Sequence, residues 1–246
     1  MAASQTDALN GVKTLAIDAF DTLFPTNPKG FDLPGCMFRV FERRGIPYDP
    51  STAWRLYRTL EHVLYRGGIA NNRVFWRLVL GHLDIEATPN LISDLISAEV
   101  AHYQFPGLAL HDGVREFLEF ARSADFTTVL WSNATWTGWK TEIDLHLPDL
   151  FSGWSISCLE RHVKEPFPGE KSLLNSTVQS FKISNPGLEL LVVDDQLKYL
   201  RASYREFGCR TALVLNGRPL DSGTFRTTLI VDRLADLEQY LPDCPK

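Results

Sequence analysis

The stretch LAIDAFDTLF, residues 15–24, places two carboxylates, Asp18 and Asp21, three positions apart at the end of an apolar run. A short apolar run that ends in polar residues is typical of a buried strand. A carboxylate after such a strand has two alternative roles: it closes the strand and caps the following turn, or it lies at the sheet edge where ligands bind. The rest of the chain decides between them.

Later segments repeat the shape of this first strand. Four more apolar runs have it: FTTVLWSN (126–133), LELLVVDD (188–195), TALVL (211–215) and TLIVD (228–232). Helical patterns lie between the strands: GVREFLEFARS, which Asp112 is expected to cap, an amphipathic segment from Lys171 to Phe181, and LKYLRASYREFG, which ends on a glycine suited to a helix C-cap. This alternation predicts the α/β class, with a Rossmann-like doubly wound parallel sheet.

The first strand is followed by a block of a different kind. From about Gly30 to Phe105 the pattern predicts three helices and no strand. One starts at Asp49-Pro50 and runs to Gly67, one runs from Asn72 to about His82, and one runs from Thr88-Pro89 toward Tyr103. We therefore expect an α/β core from residues 1–29 and 106–246, with a helical cap, residues 30–105, inserted after the first strand.

Composition narrows the class of protein. A net charge of -5 and the lack of a Lys/Arg stripe argue against a nucleic-acid binder and leave a small molecule as the expected partner. The N-terminus lacks the apolar region of a signal peptide, and no stretch approaches the length of a membrane span, so we expect a cytoplasmic protein without a membrane partner. The four cysteines, Cys36, Cys158, Cys209 and Cys244, are far apart, which predicts reduced, structural thiols. The sequence does not indicate an oligomeric state.

Polar side chains end three of the predicted strands. They are Asp18 and Asp21, then Ser132 and Asn133, then Asp194 and Asp195. Ligands of open α/β sheets bind at the carboxyl ends of strands, so these side chains are expected to meet at one edge. Each of them also has a plain structural role, since Asp21 could cap a turn and Asp194 could accept hydrogen bonds from loop amides.

These motifs resemble those of the haloacid dehalogenase (HAD) superfamily. DAFDTL (18–23) is similar to its first motif, LWSN (130–133) to the second, and VVDD (192–195) to the fourth, while a lysine ahead of a helix would be the third. Lys164, which has neighbouring prolines, and Lys171, which lies nearer the expected distance from Asp195, are alternatives for that lysine. The order of the motifs and the helical insert resemble the dehalogenase-like branch with a cap.

The resemblance implies an enzyme mechanism. Asp18 would be the nucleophile that forms a covalent aspartyl intermediate, with Ser132 bonded to the transferring group and the lysine neutralising charge. In phosphatase members Mg²⁺ joins the nucleophile, the backbone carbonyl of the second residue after it (here Phe20), and an acid of the fourth motif, which would be Asp194 or Asp195. Asp21 would be a candidate helper, and no metal is implied if the protein is dehalogenase-like or repurposed.

Two departures leave the reaction open. HAD phosphatases place a second aspartate where this chain has Phe20, which cannot transfer a proton, and Asp21 comes one position too late. Dehalogenases carry an aromatic residue there because halide leaves without a proton, yet they have a serine-rich fourth motif and no metal. Phosphate-ester hydrolysis, haloacid hydrolysis, and a repurposed scaffold for lyase, cyclase or inert binding functions are therefore the alternatives.

Aromatic residues indicate where a substrate would bind. Trp136 and Trp139 follow the second motif, and Tyr57 and Arg58 lie on the first predicted cap helix. Together with Phe20 and Asn133 they are candidate substrate-binding residues in a pocket between core and cap, Arg58 for an anionic substrate and Tyr57 for an apolar one. Packing of core against cap is the alternative role for these aromatics.

Overall fold

The computed structural model describes residues 8–24, 33–66, 69–103, 110–136, 139, 149–220, 225 and 227–242. Within them, six parallel strands form one sheet in the order β3-β2-β1-β4-β5-β6. The strands are β1 (Thr14–Ile17), β2 (Thr127–Ser132), β3 (Gly153–Ile156), β4 (Leu190–Asp194), β5 (Arg210–Val214) and β6 (Leu229–Val231). The predicted doubly wound parallel sheet is confirmed.

The central strands are buried on both faces. All residues of β1 and of β4 are buried, as expected of a parallel sheet that is covered on each side. β1 pairs with β2 on one side and with β4 on the other, so the strand order reverses beside β1. The carboxyl ends of these three strands therefore bring Asp18, Ser132 and Asp194 to one crevice.

The sequence did not predict the edge strand β3. Its four residues begin with a glycine and an exposed tryptophan, so they lack the apolar run that marks the other strands. At Gly153 a Cβ would lie 2.7 Å from Cζ of Phe181, so a larger residue there would require the Phe181 ring to shift. This strand is defined by its packing and by its pairing with β2 rather than by an apolar pattern.

Four helices follow β1: α1 (Leu33–Arg43), α2 (Pro50–Tyr65), α3 (Ile69–His82) and α4 (Pro89–Tyr103). The starts of α2 and α4 match the prediction, and the Asp49 carboxylate caps α2 by accepting a hydrogen bond of 2.8 Å from the Thr52 amide. Two expectations were wrong. Three helices were expected here and α1 was not among them, and α3 begins at Ile69, with Asn72 buried inside the helix rather than at its start.

These four helices, called the four-helix unit below, share a hydrophobic core of their own. Its largest fully buried side chains include Phe41, Phe75 and Trp76. Phe20, in the loop after β1, packs against this core and also against the core of the sheet. The predicted cap boundaries lie outside the described residues, so the division into a core (1–29 and 106–246) and a cap (30–105) stays a prediction.

The remaining helices lie later in the chain than α4, before, between and after the strands β2 to β6. They are α5 (Val114–Ser123), α6 (Ser157–Glu160), α7 (Leu173–Ser180), α8 (Pro186–Glu189), α9 (Leu197–Phe207) and a 3₁₀ helix (Leu234–Tyr240). Gly208 ends α9 in the left-handed conformation, φ 62°, as its position predicts. Asp112, by contrast, does not cap α5: the N-cap residue is Gly113, and no side-chain cap bond forms there.

The described thiols are inert. Burial raises the pKa of both Cys158 and Cys209 to about 12, so both stay protonated at neutral pH. The side chains of Cys36 and Cys244 lie outside the described part of the chain. Among the helices described, none combines the length and the apolar surface that a membrane crossing requires.

Candidate functional site

Asp18 lies at the centre of the crevice. Its backbone amide continues the pairing of β1 with β4 through a hydrogen bond of 2.9 Å to the carbonyl of Val193, which fixes the carboxylate at the strand end. Lys164 Nζ lies 2.5 Å from Asp18 Oδ1 and 2.6 Å from Asp194 Oδ2. Ser132 Oγ donates a hydrogen bond of 3.2 Å to Asp18 Oδ1. All four side chains are buried, so the ammonium bridges two carboxylates away from solvent.

The loop after β2 holds the lysine in place. Asn133 Oδ1 accepts a hydrogen bond of 3.0 Å from the backbone amide of Lys164, and Asn133 Nδ2 lies 3.4 Å from the hydroxyl of Tyr199. The ammonium lies 4.2 Å from the ring centroid of Trp131 and 5.1 Å from that of Tyr199. These rings attract the cation from the sides that the carboxylates do not cover. Lys171, the alternative third-motif lysine, is exposed.

The third carboxylate, Asp195, is paired with an arginine. Arg218, in the loop after β5, donates a hydrogen bond of 2.8 Å from Nη1 to Asp195 Oδ2. Asp195 Oδ1 is buried and has no hydrogen-bond partner among the described residues. Ligand oxygens of Asp18, Asp194 and Asp195 all lie within 4.8 Å of one another. Hard carboxylate oxygens at this spacing, one of them buried without a partner, fit Mg²⁺.

Electrostatics couple these groups. Burial alone would lower the pKa of Lys164, but Asp18 and Asp194 raise it above its ordinary value, so the lysine stays charged. Burial raises the pKa of Asp18, with Lys164 opposing the rise and Asp195 adding to it. Burial likewise raises the pKa of Asp194 well above its ordinary value. The three carboxylates outnumber the two cations that touch them, so the cluster would gain from a further cation.

Asp21 has a turn-forming role. It adopts a positive φ of 59°, which aspartate tolerates better than most residues, and its amide donates a hydrogen bond of 2.7 Å to the carbonyl of Phe24. The backbone carbonyl of Asp21 accepts a hydrogen bond from Asn216 Nδ2, and its carboxylate lies 3.9 Å from Arg218 Nη1. These contacts match the structural alternative for Asp21, which therefore closes the turn and faces Arg218.

Known structures match this architecture, although a comparison of the sequence with protein-family models and with curated proteins found no match. The 2-haloacid dehalogenase from Pseudomonas syringae pv. Tomato DC3000 is 14% identical, with a TM-score of 0.68 over 93% of this chain and 97% of that one. The L-2-haloacid dehalogenase from Xanthobacter autotrophicus, with covalently bound chloropropionic acid, is 17% identical, with a TM-score of 0.57 over 93% and 97%. YfnB from Bacillus subtilis, bound to magnesium, is 16% identical, with a TM-score of 0.56 over 94% and 98%. The chain has the haloacid dehalogenase fold.

Two aromatic side chains that the sequence proposed for substrate binding are packing residues of this HAD fold. Trp139 is 4% exposed and lies 5.4 Å, ring to ring, from Trp154. Tyr57, also 4% exposed, packs edge-on against Phe75 inside the four-helix unit. Both side chains therefore match the alternative role of core packing, and a substrate-binding role for either stays a prediction. Trp136 is partly buried against the sheet core.

Arg58 lies on the outside of α2. Half of its side chain is exposed, and it forms an ion pair of 2.8 Å with Glu61 on the same helix. Its guanidinium also stacks over the ring of Trp54 at 5.5 Å. An anion-binding role for Arg58 would compete with both contacts, and it stays a prediction.

The sequence did not indicate how three side chains shape the candidate site: Trp131, Tyr199 and Arg218. A weak signal existed for each. Trp131 directly precedes Ser132, Tyr199 lies one helical turn after Asp195, and Arg218 follows β5, whose carboxyl end lies beside that of β4. Position alone did not show that these side chains point to the lysine and to Asp195.

Proposed function

We propose that the protein is a HAD-type hydrolase that acts through Asp18 on a small organic substrate. The observation that carries this proposal is the buried contact of Asp18 Oδ1 with both Lys164 Nζ and Ser132 Oγ, at the point where the strand order reverses. Donors on a carboxylate fix its orientation, and fixed orientation is what a nucleophile needs. The described sheet and the solved structures of the same fold support this choice.

The donor pattern assigns a role to each oxygen of Asp18. The hydrogen bonds from the Lys164 and Ser132 side chains both fall on Oδ1, so we assign the attack to Oδ2. Attack on carbon forms an ester of Asp18, attack on phosphorus forms an acyl phosphate of Asp18, and either expels the leaving group with its electron pair. Water then hydrolyses this intermediate, which releases the hydroxylated product or inorganic phosphate with a proton and regenerates the carboxylate. Lys164 and Ser132 stabilise the charge around the reacting centre during both steps.

Phe20 favours a leaving group that needs no proton. The residue packs between two hydrophobic cores and carries no acidic hydrogen. Halide departs as a stable anion, so a 2-haloacid is the first candidate substrate. Two of the solved structures with this fold are 2-haloacid dehalogenases by name, one with chloropropionic acid covalently bound.

The acidic cluster favours a second candidate, a phosphate ester hydrolysed with Mg²⁺. Asp18, Asp194 and Asp195 would hold the ion, with the carbonyl of Phe20 as a further ligand. When bound, Mg²⁺ would polarise the phosphoryl oxygens and offset their charge. The buried, unpartnered Oδ1 of Asp195 is the specific observation in favour, because a haloacid reaction gives that oxygen no partner.

A two-by-two assay separates these candidates. The purified protein is given 2-haloacids or phosphomonoesters, each with Mg²⁺ and with EDTA, while halide and phosphate release are measured. Halide release that EDTA leaves unchanged supports the dehalogenase, and phosphate release that requires Mg²⁺ supports the phosphatase. An Asp18→Asn variant with the same activity as the wild type contradicts the nucleophile. Silence on both substrate classes favours the repurposed scaffold, whether of the lyase or cyclase type or an inert binding module.

A further inference from the structure

A carboxylate that the proposed reaction does not use lies buried between the four-helix unit and the sheet. Glu99, on α4, is 0% exposed. Its Oε2 accepts a hydrogen bond of 2.7 Å from Asn72 Nδ2 on α3, and its Oε1 accepts one of 3.2 Å from Thr135 Oγ1. Burying a carboxylate is costly unless hydrogen-bond donors surround it, so Glu99 is expected to depend on the donors of Asn72 and Thr135.

Thr135 belongs to the loop that leaves β2 directly after Ser132. Each residue of that loop takes part in a hydrogen bond that involves a side chain and joins the loop to another segment, either the one after β3 or α4. Asn133 Oδ1 binds the amide of Lys164, Ser157 Oγ binds the amide of Ala134 at 3.0 Å, and Thr135 binds Glu99. Glu99 is thus a contribution of the four-helix unit to this loop.

We propose that Glu99 is a positioning residue that couples the four-helix unit to the loop carrying Ser132 and Asn133. Its two oxygens join a donor inside the unit to a donor in the loop, so a displacement of α4 pulls on Thr135. Because Ser132 is bonded to Asp18 and Asn133 to Lys164, the position of the unit sets the geometry at the nucleophile. The structural coupling stands independently, while its effect on turnover rests on the proposed hydrolase function.

Hydrogen exchange measured by mass spectrometry on the protein without ligand tests the coupling. Thr135→Val removes the donor and keeps the shape, so backbone exchange in residues 131–136 is expected to rise about tenfold or more, the factor for losing a hydrogen bond to a charged group. Thr135→Ser keeps the hydroxyl and is expected to restore slow exchange. Asp94→Asn is the matched control, since Asp94 lies on the same helix but pairs with Arg44 inside the unit. That control is expected to leave the backbone exchange of residues 131–136 unchanged.

Two results overturn the proposal. One is unchanged exchange in residues 131–136 of Thr135→Val; the other is an equal rise there and in β4, which would mark a loss of global stability alone. Glu99→Met, which removes both acceptor oxygens and keeps a side chain of similar length, replaces Thr135→Val if the latter does not fold, with the same expected local rise and the same two refuting results.

Turnover gives a separate readout. With whichever substrate class the wild type hydrolyses, Thr135→Val is expected to lower kcat at least about tenfold with little change in KM, and Thr135→Ser to recover it. A wild type that hydrolyses neither class refutes the proposed function, while the exchange data still decide the coupling. An active wild type whose kcat is the same in Thr135→Val refutes the effect of Glu99 on the nucleophile.

Discussion

Replacing Lys164 with methionine tests the electrostatic description of the site. Methionine keeps the apolar stem of lysine and removes the ammonium that lies 2.5 Å from Asp18 and 2.6 Å from Asp194. Both carboxylates are then buried without their cation. Removing one partner of a buried ion pair costs about 3–5 kcal/mol, so we expect the free energy of unfolding to fall by that amount at neutral pH.

The pH dependence of this loss has a definite sign. A carboxyl group whose pKa is raised by folding contributes stability below its unfolded pKa, near 3.8, and that contribution is lost as the pH rises through the folded pKa. Without Lys164 the folded pKa values of Asp18 and Asp194 rise further, because the lysine opposes burial in both. The free energy of unfolding that Lys164→Met loses relative to the wild type should therefore become smaller as the pH falls toward 5, because the two carboxyl groups take up protons.

Urea unfolding of three proteins at two pH values measures the effect. Lys171→Met is the matched control, since Lys171 is an exposed lysine of the same segment and its loss should change stability by no more than about 0.5 kcal/mol. If Lys164→Met is no less stable than Lys171→Met, the buried ion pairs do not hold the site together. If the deficit is equal at about pH 5 and about pH 7.5, the carboxylates are not its cause.

Three further substitutions probe the reaction. Asp18→Asn should retain less than about a hundredth of wild-type turnover with an unchanged circular dichroism spectrum, because the amide keeps the shape and loses the nucleophile; higher turnover contradicts the covalent mechanism. Phe20→Asp should raise phosphate release in the presence of Mg²⁺ by a small part of the roughly 10²–10⁴-fold that a positioned acid supplies, and a folded variant with no gain shows that the other parts are not those of a phosphatase. If adding Mg²⁺ raises the Tm of the wild type, Asp195→Asn should abolish that rise; an equal rise in the two proteins would show that the ion binds elsewhere.

The sheet was predictable because its signals are local. The apolar runs of β1, β2, β4, β5 and β6 each end close to where the sequence predicts, and parallel strands place their carboxyl ends at one edge. The strand β3 was not predictable in this way, because it is no apolar run and is defined by its pairing with β2. The helix α1 does carry a local signal, an amphipathic pattern that buries Met37, Val40 and Phe41, and the sequence-based expectation of three helices overlooked it.

The site was predictable in its charges but not in its contacts. Strand ends gave Asp18, Ser132 and Asp194, yet spacing alone favoured Lys171 over Lys164. The backbone decides this point, since the amide of Lys164 is anchored on Asn133, 31 residues earlier in the chain. A contact between such distant residues depends on how β2 and the later loop pack, which no local pattern encodes.

Position 20 shows how packing and chemistry constrain each other in this fold. Phe20 directly precedes the turn that Asp21 closes, and its ring contacts the hydrophobic cores of both the sheet and the four-helix unit. An acid at this position would have to leave one of those contacts or be buried among apolar groups, which disfavours its charged form. The aromatic ring therefore joins the two cores at the position that would have to supply the proton in the proposed phosphatase reaction. This is the structural reason for expecting a leaving group that departs without a proton, and for expecting only a small gain from Phe20→Asp.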